Sequence, residues 1–288
     1  MTNRQIQLSD ANIRRTVPQN IESGCQFNKG FLPDDKLSPA EYLSTAFSLP
    51  QWLIENWLNE FGRQKTRDIC FACNRRPSVY IRPNNLKITQ DELIEKFRRE
   101  NIETETISGE SVIMMKSPGA VSNLPGFNEG LFVVQDLTAS QAVKLLNPQK
   151  SWKILDMCAA PGGKTTQLAE MTGDEATITA TDIDSERLLR LKENINRLGI
   201  KSIEVLDYEK VAGLKFDCIL LDVPCSNTGV LAKRIETRFR IEPQGISELV
   251  KIQSELLEKA SKMLNSCGTI CYSTCSIQKK ENTGVVQQ

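Results

Sequence analysis

Apolar positions along this chain fall into two regimes. Up to about residue 118 they recur at helical spacing or in isolated short runs; from residue 154 short apolar runs alternate with long amphipathic stretches. In the first regime Ser38-Pro39 predicts a helix start, a capping serine with proline at the first helical position. Pro50 separates that helix from the next, in which Leu53, Ile54, Trp57, Leu58 and Phe61 share one face and Gly62 predicts the stop. Residues 77–83 predict a strand, 89–99 an amphipathic helix and 111–115 another strand. Together they predict a small α+β module over 38–118, preceded by a polar, weakly patterned leader over 1–37. Residues 118–127, rich in Pro, Gly, Ser and Asn, mark a boundary.

The second regime occupies 119–288. A helix over 138–146 precedes a strand ending at Ile154-Leu155, and a helix opens at Thr165. Strands are predicted over 176–181, 203–206, 218–221 and 269–273. Between them lie helices over 185–198, ended by Gly199, and 246–264, ended by Gly268. Strands alternating with helices predict an α/β domain with a doubly wound parallel sheet.

Composition narrows the chemistry. The 288 residues contain no histidine, which excludes Ser-His-Asp and Cys-His catalysis and His-ligated zinc. Formal net charge is zero, so a nucleic-acid surface would be a local patch. Arg75, Arg76, Arg82, Arg98 and Arg99 make the small module locally basic, which reads either as a solvated face or as RNA-backbone contact. Nine cysteines without an apolar leader predict reduced thiols in a cytoplasmic protein, and no apolar run reaches membrane-spanning length. Cys70 and Cys73 form a lone C-x-x-C with no second pair nearby, so no metal site is expected.

The stretch 154–170 reads as strand, loop, helix, with Ala159-Ala160-Pro161-Gly162-Gly163 as a loop of small residues. Such a loop brings backbone N–H groups up to a ligand. Asp182 ends the next apolar segment, 20 residues after Gly162, where an acid can bind ribose hydroxyls. A triphosphate-binding loop fits Gly163-Lys164-Thr165 but has Cys158 where the first glycine belongs and Pro161 inside the loop. An ordinary tight turn and an adenosine-containing cofactor are the other readings. Two more loops follow strand ends, carrying Asp222 with Cys225 and, further on, Cys275. In an open parallel sheet these strand ends face one crevice.

D-M-C-A-A-P-G-G-K-T, D-V-P-C-S-N-T-G-V-L and Y-S-T-C-S resemble three signature motifs of the Sun (RsmB-like) family of S-adenosylmethionine-dependent RNA cytosine-C5 methyltransferases. R-P-S-V-Y-I-R-P-N-N-L-K resembles part of that family's RNA-binding module. The resemblance implies a Rossmann-like methyltransferase sheet preceded by an RNA-binding module, with RNA, ribosomal at the family level, as substrate. It implies S-adenosyl-L-methionine as cofactor, held by Cys158, Ala159, Ala160, Pro161, Gly162, Gly163 and Lys164, with Asp182 on the ribose and Asp207 by the adenine. Asp222 would lie by the methyl group and cytosine, as a protonated donor to ring nitrogen 3. Cys275 matches the family nucleophile and Cys225 the residue that assists release. DNA cytosine methyltransferases differ, taking the nucleophile from the proline-cysteine motif. Lys233, Arg234, Arg238 and Arg240 are candidates to grip RNA.

Three departures stand out. Val223 and Asn227 replace the commoner alanine and glycine of the middle motif, which predicts crowding at the base pocket and an asparagine in a left-handed turn. Arg234-Ile235 replaces the usual His-Pro pair. Family members continue beyond the equivalent of Glu281-Asn282 with a helix and hairpin. C-terminal strands of the family fold are therefore expected to be missing here, leaving 269–273 as an exposed edge. A truncated RNA-binding remnant without catalysis is the alternative reading.

Overall fold

The computed structural model describes residues 32–288. Most of the leader read over 1–37 lies outside the described residues. The chain divides into two compact units.

The first unit includes residues 32–76 and 231–240. Its helices Pro39–Phe47 and Gln51–Asn74 bury Tyr42, Leu43, Phe47, Leu53, Ile54 and Trp57. Gly62 leaves helical geometry at φ 75° and ψ 171°, as its predicted stop implies, but helix resumes beyond it to Asn74. Cys70 and Cys73 sit on that continuation, buried one turn apart, and burial pushes the Cys73 thiol up to about 11. Phe47 and Phe71 meet edge to face at 4.8 Å. Arg238, read from sequence as an RNA contact, instead donates to the carbonyls of Phe47 and Cys73. It shares the Phe47 carbonyl with Asn74 Nδ2 and satisfies the Cys73 carbonyl near the end of that helix.

The second unit begins with a four-stranded antiparallel sheet of order β2-β3-β1-β4. Its strands are β1 (Val79–Pro83), β2 (Thr104–Thr106), β3 (Ile113–Met115) and β4 (Phe132–Val134). The helix Gln90–Arg99 starts at a full capping box, Thr89 with Glu92, and buries Leu93 and Phe97 against Ile81, Ile113 and Phe132. The short, polar β2 has no apolar alternation and escaped prediction. Because β4 pairs with β1, the small sheet extends past the composition boundary at 118.

The larger sheet follows, all parallel, in the order β7-β6-β5-β8-β9. Its strands are β5 (Lys153–Asp156), β6 (Thr177–Ala180), β7 (Ile203–Val205), β8 (Phe216–Asp222) and β9 (Leu264–Ser273). On β8, Cys218 and Leu220 face one core cluster while Ile219 and Leu221 face another. Both faces are apolar because helices cover both. Gly163–Met171 and Ser185–Leu198 lie on one side, Pro243–Lys262 on the other. The last helix ends at Lys262 and β9 begins at Leu264, so Gly268, read as a helix stop, lies inside the strand. Among the described residues β9 pairs only with β8 and forms one edge of the sheet.

One buried cation fastens the two sheets of this unit. Arg82 on β1, read from sequence as a basic surface residue, is 1% exposed. Nε and Nη2 form a two-pronged ion pair with Glu170, at 3.0 and 2.7 Å. Nη2 also donates to Thr166 Oγ1, and Nη1 donates to Gln135 Oε1 and to the Gly163 carbonyl. Every guanidinium N–H therefore has an acceptor. Burial pushes the Glu170 carboxyl up and Arg82 opposes it. Breaking such a pair from one side leaves a charge without a partner, so Arg82→Met should cost about 3–5 kcal/mol in urea unfolding, with Arg82→Met/Glu170→Met recovering part of it. A loss in the single variant no larger than that of an exposed ion pair would contradict this role.

Candidate active site

The larger sheet reverses its direction of winding at β5, between β6 and β8. A crevice opens above the C-terminal strand ends at such a switch point. The glycine loop leaves β5 there, and the helix Gly163–Met171 starts with no side-chain cap, which leaves its first N–H groups to a ligand. Gly162 has φ 104°, and a Cβ on it would lie 2.5 Å from Leu191 Cδ1. Only glycine lets the loop pass that close to the next helix.

Asp182 lies two residues past β6 and is 5% exposed. Its Oδ2 accepts the Ala160 N–H at 3.1 Å and its Oδ1 the Asp184 N–H at 3.1 Å. Arg187 bridges the Asp182 carboxylate and the Ala160 carbonyl. Asp182 thus fixes the glycine loop. Ile183 beside it is 94% exposed, an apolar side chain held open next to the acid. Asp207, at the end of β7, is not joined to this cluster; it is exposed and paired with Lys210 at 3.0 Å.

Lys164 and Asp222 do meet. Lys164 Nζ donates to Asp222 Oδ2 at 2.5 Å and Ser273 Oγ donates to Oδ1 at 2.5 Å. The side chain expected as a proton donor is therefore an acceptor on both oxygens. Val223, expected to crowd the base pocket, is 4% exposed and faces the core with Leu155 and Met157. The backbone alternation of β8 turns it inward.

The two cysteines form a pair. Cys225 and Cys275 Sγ atoms lie 2.7 Å apart, and the Cys275 N–H points at Cys225 Sγ at 3.3 Å. Asn227 adopts the left-handed conformation expected of it, φ 60°. Its Oδ1 accepts from the Cys275 thiol at 3.0 Å while its Nδ2 holds the Cys225 carbonyl. Gly229 donates its N–H to the Cys275 carbonyl at 2.9 Å, and a Cβ there would lie 2.8 Å from that oxygen. When one of two thiols this close ionises, the other's proton is shared between the sulfurs, which eases the first ionisation and opposes the second. The Cys275 thiol beside Cys225 holds Cys225 below the usual thiol range, and Cys225 with burial raises Cys275. Cys158 differs: burial, with Asp156, Asp182 and Asp222 nearby, pushes it up to about 12, so it stays a neutral thiol.

The residues that sequence reading missed are buried polar ones. Ser226, Thr228, Ser276 and Glu281 form a hydrogen-bonded cluster under the cysteines. The serine that follows each cysteine was the only sequence signal for it. Asp156, at the end of β5, is 1% exposed; Thr165 Oγ1 donates to its Oδ2 at 2.7 Å and its Oδ1 has no partner.

The chain matches the family model of 16S rRNA methyltransferase RsmB/F over residues 143–288 and that of the RsmF/B-like ferredoxin-like domain over residues 49–122. It is 35% identical over 268 residues to the Probable ribosomal RNA small subunit methyltransferase B of Synechocystis sp., which covers 90% of this chain and 59% of that protein. It is 38% identical to the ribosomal RNA small subunit methyltransferase B of Photorhabdus laumondii, over 81% of this chain and 55% of that protein. The crystal structure of PH0851 superposes with a TM-score of 0.83 at 32% identity, over 93% of this chain and 60% of that one. The chain therefore belongs to the RsmB/F methyltransferase family, with a ferredoxin-like module ahead of a Rossmann-like domain. It spans less than two thirds of the length of the curated relatives it matches.

Asp156 yields a pH prediction. Burial, first among the causes, pushes its carboxyl up to about 7 from 3.8, with Asp222 adding and Thr165 opposing. A raised folded-state value favours the fold while the group is protonated. That contribution is whole below the unfolded value and is lost as pH rises through about 7. Asp156→Asn should flatten the stability curve between these limits, removing a slope of up to about 1.4 kcal/mol per pH unit. Urea unfolding at several pH values measures it, and parallel curves for both proteins would contradict the assignment.

Proposed function

We propose that this chain methylates carbon 5 of a cytosine in RNA, using S-adenosyl-L-methionine and a covalent adduct on Cys275. The cysteine pair at adjacent strand ends carries the reading. The names of the relatives point to ribosomal RNA of the small subunit, and a cytoplasmic setting suits reduced thiols.

The residues present fit the cofactor. The uncapped helix start, the unpartnered Asp156 Oδ1 and exposed Ile183 beside Asp182 supply donors, a hydrogen-bonding oxygen and an apolar rest. The loop 158–164 would hold its methionine part, Asp182 its ribose and Asp207 its adenine side. When bound, this group supplies an electrophilic methyl on a sulfonium.

Carbon 5 of cytosine is a poor nucleophile. Cys275 gives its thiol proton to Cys225, 2.7 Å away, which releases it to solvent; the Cys275 thiolate adds to carbon 6, and the displaced ring electrons make carbon 5 enamine-like. Ring nitrogen 3 takes up its proton from Asp222 as Asp222 takes one from Lys164, whose Nζ already donates to Asp222 Oδ2 at 2.5 Å. Once carbon 5 carries the methyl, Cys225 takes the proton from that carbon. The electrons return to the ring and Cys275 leaves as a thiolate. The target base must be unpaired or flipped out. Exposed Arg75, Arg76, Arg98 and Arg99 suit contact with the RNA backbone.

The Asp182→Ala variant should bind S-adenosylmethionine more weakly by about 1.5–3 kcal/mol in calorimetry while RNA binding holds. Unchanged cofactor affinity would remove Asp182 from the site.

The cysteine variants test the mechanism. With labelled RNA and cofactor, Cys225→Ala should accumulate a slow band on a denaturing gel that survives dithiothreitol, because the bond is a thioether. Cys275→Ala and the double variant should give none. A band in Cys275→Ala instead would exchange the two roles. No band and no product in any form, wild type included, would favour an RNA-binding chain without the chemistry.

A further inference from the structure

We propose that Glu281 is the positioning residue of the cysteine pair, holding the loops after β8 and β9 at the separation the reaction needs. The proposal rests on the function argued above and goes beyond it, because Glu281 touches neither sulfur.

Glu281 follows β9, in the short turn Lys279–Glu281, and is fully buried. Its carboxylate is held by four hydrogen bonds. Oε1 accepts the Ser226 N–H at 2.8 Å and Gln253 Nε2 at 3.1 Å; Oε2 accepts the hydroxyls of Ser226 and Ser276. Ser226 and Ser276 directly follow Cys225 and Cys275. A single anion therefore draws together the residues next to both sulfurs. Gln253 ties the same point to the long helix and donates to the Pro224 carbonyl at 2.8 Å. Thr228 completes the cluster, sharing its hydroxyl with Ser226 and Ser276 and accepting the Ile277 N–H.

The charge matters. A carboxylate is acceptor only, and all four groups aimed at it are donors. An amide of the same shape would turn an N–H toward hydroxyls that already use their protons on this point. One hydroxyl would then have to swing away, and the cysteine beside it with it. A buried anion is costly unless fully hydrogen-bonded, so the cluster keeps one arrangement instead of several.

The test uses Glu281→Gln and Ser276→Ala in the full chain. Diamide, which takes up both thiol hydrogens, converts the pair to a disulfide, and mass spectrometry of the linked Cys225 and Cys275 peptides gives the rate. Calorimetry gives cofactor affinity, and the denaturing gel gives the rate of adduct formation on RNA. Glu281→Gln should slow disulfide and adduct formation by about tenfold or more, the equivalent of one hydrogen bond to a charged group. Cofactor affinity and KM for RNA should stay unchanged while kcat falls. Ser276→Ala should move the same rates by less, and its rates decide the matter if Glu281→Gln does not fold. Wild-type disulfide rates in both variants would overturn the proposal. So would a loss of cofactor affinity as large as the loss of rate, which marks a general structural role. If wild type forms no adduct, the reading of the reaction fails, and the disulfide rates still decide whether Glu281 positions the pair.

Discussion

The buried Arg82–Glu170 pair is the contact on which the second unit depends. A guanidinium taken out of water must find an acceptor for each of its five N–H groups, and this one finds them on Glu170, Gln135, Thr166 and Gly163. Gly163 and Thr166 belong to the helix that the glycine loop enters. One residue of the small sheet thus sets where the glycine loop ends. Neighbouring contacts repeat the design: Asn84 Nδ2 donates to the carbonyls of Gly130 and Leu198, and Lys87 Nζ to those of Glu129 and Arg197. Arg197 in turn caps Phe127 and Phe132 carbonyls and lies 4.2 Å from the Phe127 ring. Side chains satisfying carbonyls resist sliding in a way that apolar packing alone does not, because hydrogen bonds are directional.

The crevice concentrates acids. Asp156, Asp182 and Asp222 all lie near Cys158 and raise it, with Lys164 and Arg187 as the nearby cations. Such an arrangement suits a cationic ligand and keeps a stray thiol neutral. The Cys225 and Cys275 thiols sit elsewhere, where each finds the other sulfur, the Asn227 amide and a polar cluster beneath.

Much of this was legible from periodicity. The helix Ser185–Leu198, with its stop at Gly199, falls where Leu188, Leu191, Ile195 and Leu198 predict it. The strands β5 and β8 are apolar on both faces, as a covered parallel sheet requires. Errors came where local signals conflict with pairing. Gly62 breaks the helical geometry without ending the helix, because the apolar face resumes on the far side. Gly268 reads as a helix stop but lies in β9, where β8 supplies the hydrogen bonds. β2, three polar residues long, exists because β3 pairs with it.

The candidate site divides the same way. Motif spacing by itself determined that Asp182, Asp222, Cys225 and Cys275 lie at strand ends, since loops after parallel strands share one edge of a sheet. It determined the glycine loop and the left-handed Asn227, because both are local backbone matters. Only the tertiary structure decided which charges are buried and against what. Arg82 and Arg98 look alike in the sequence, yet one is enclosed by Glu170 and the other stands exposed beside Glu95. Glu281 reads as a surface acid in a polar tail until Ser226, Ser276 and Gln253 close around it. Burial and partner choice depend on residues far apart in the chain, 88 positions for Arg82 and Glu170, and no local pattern records them.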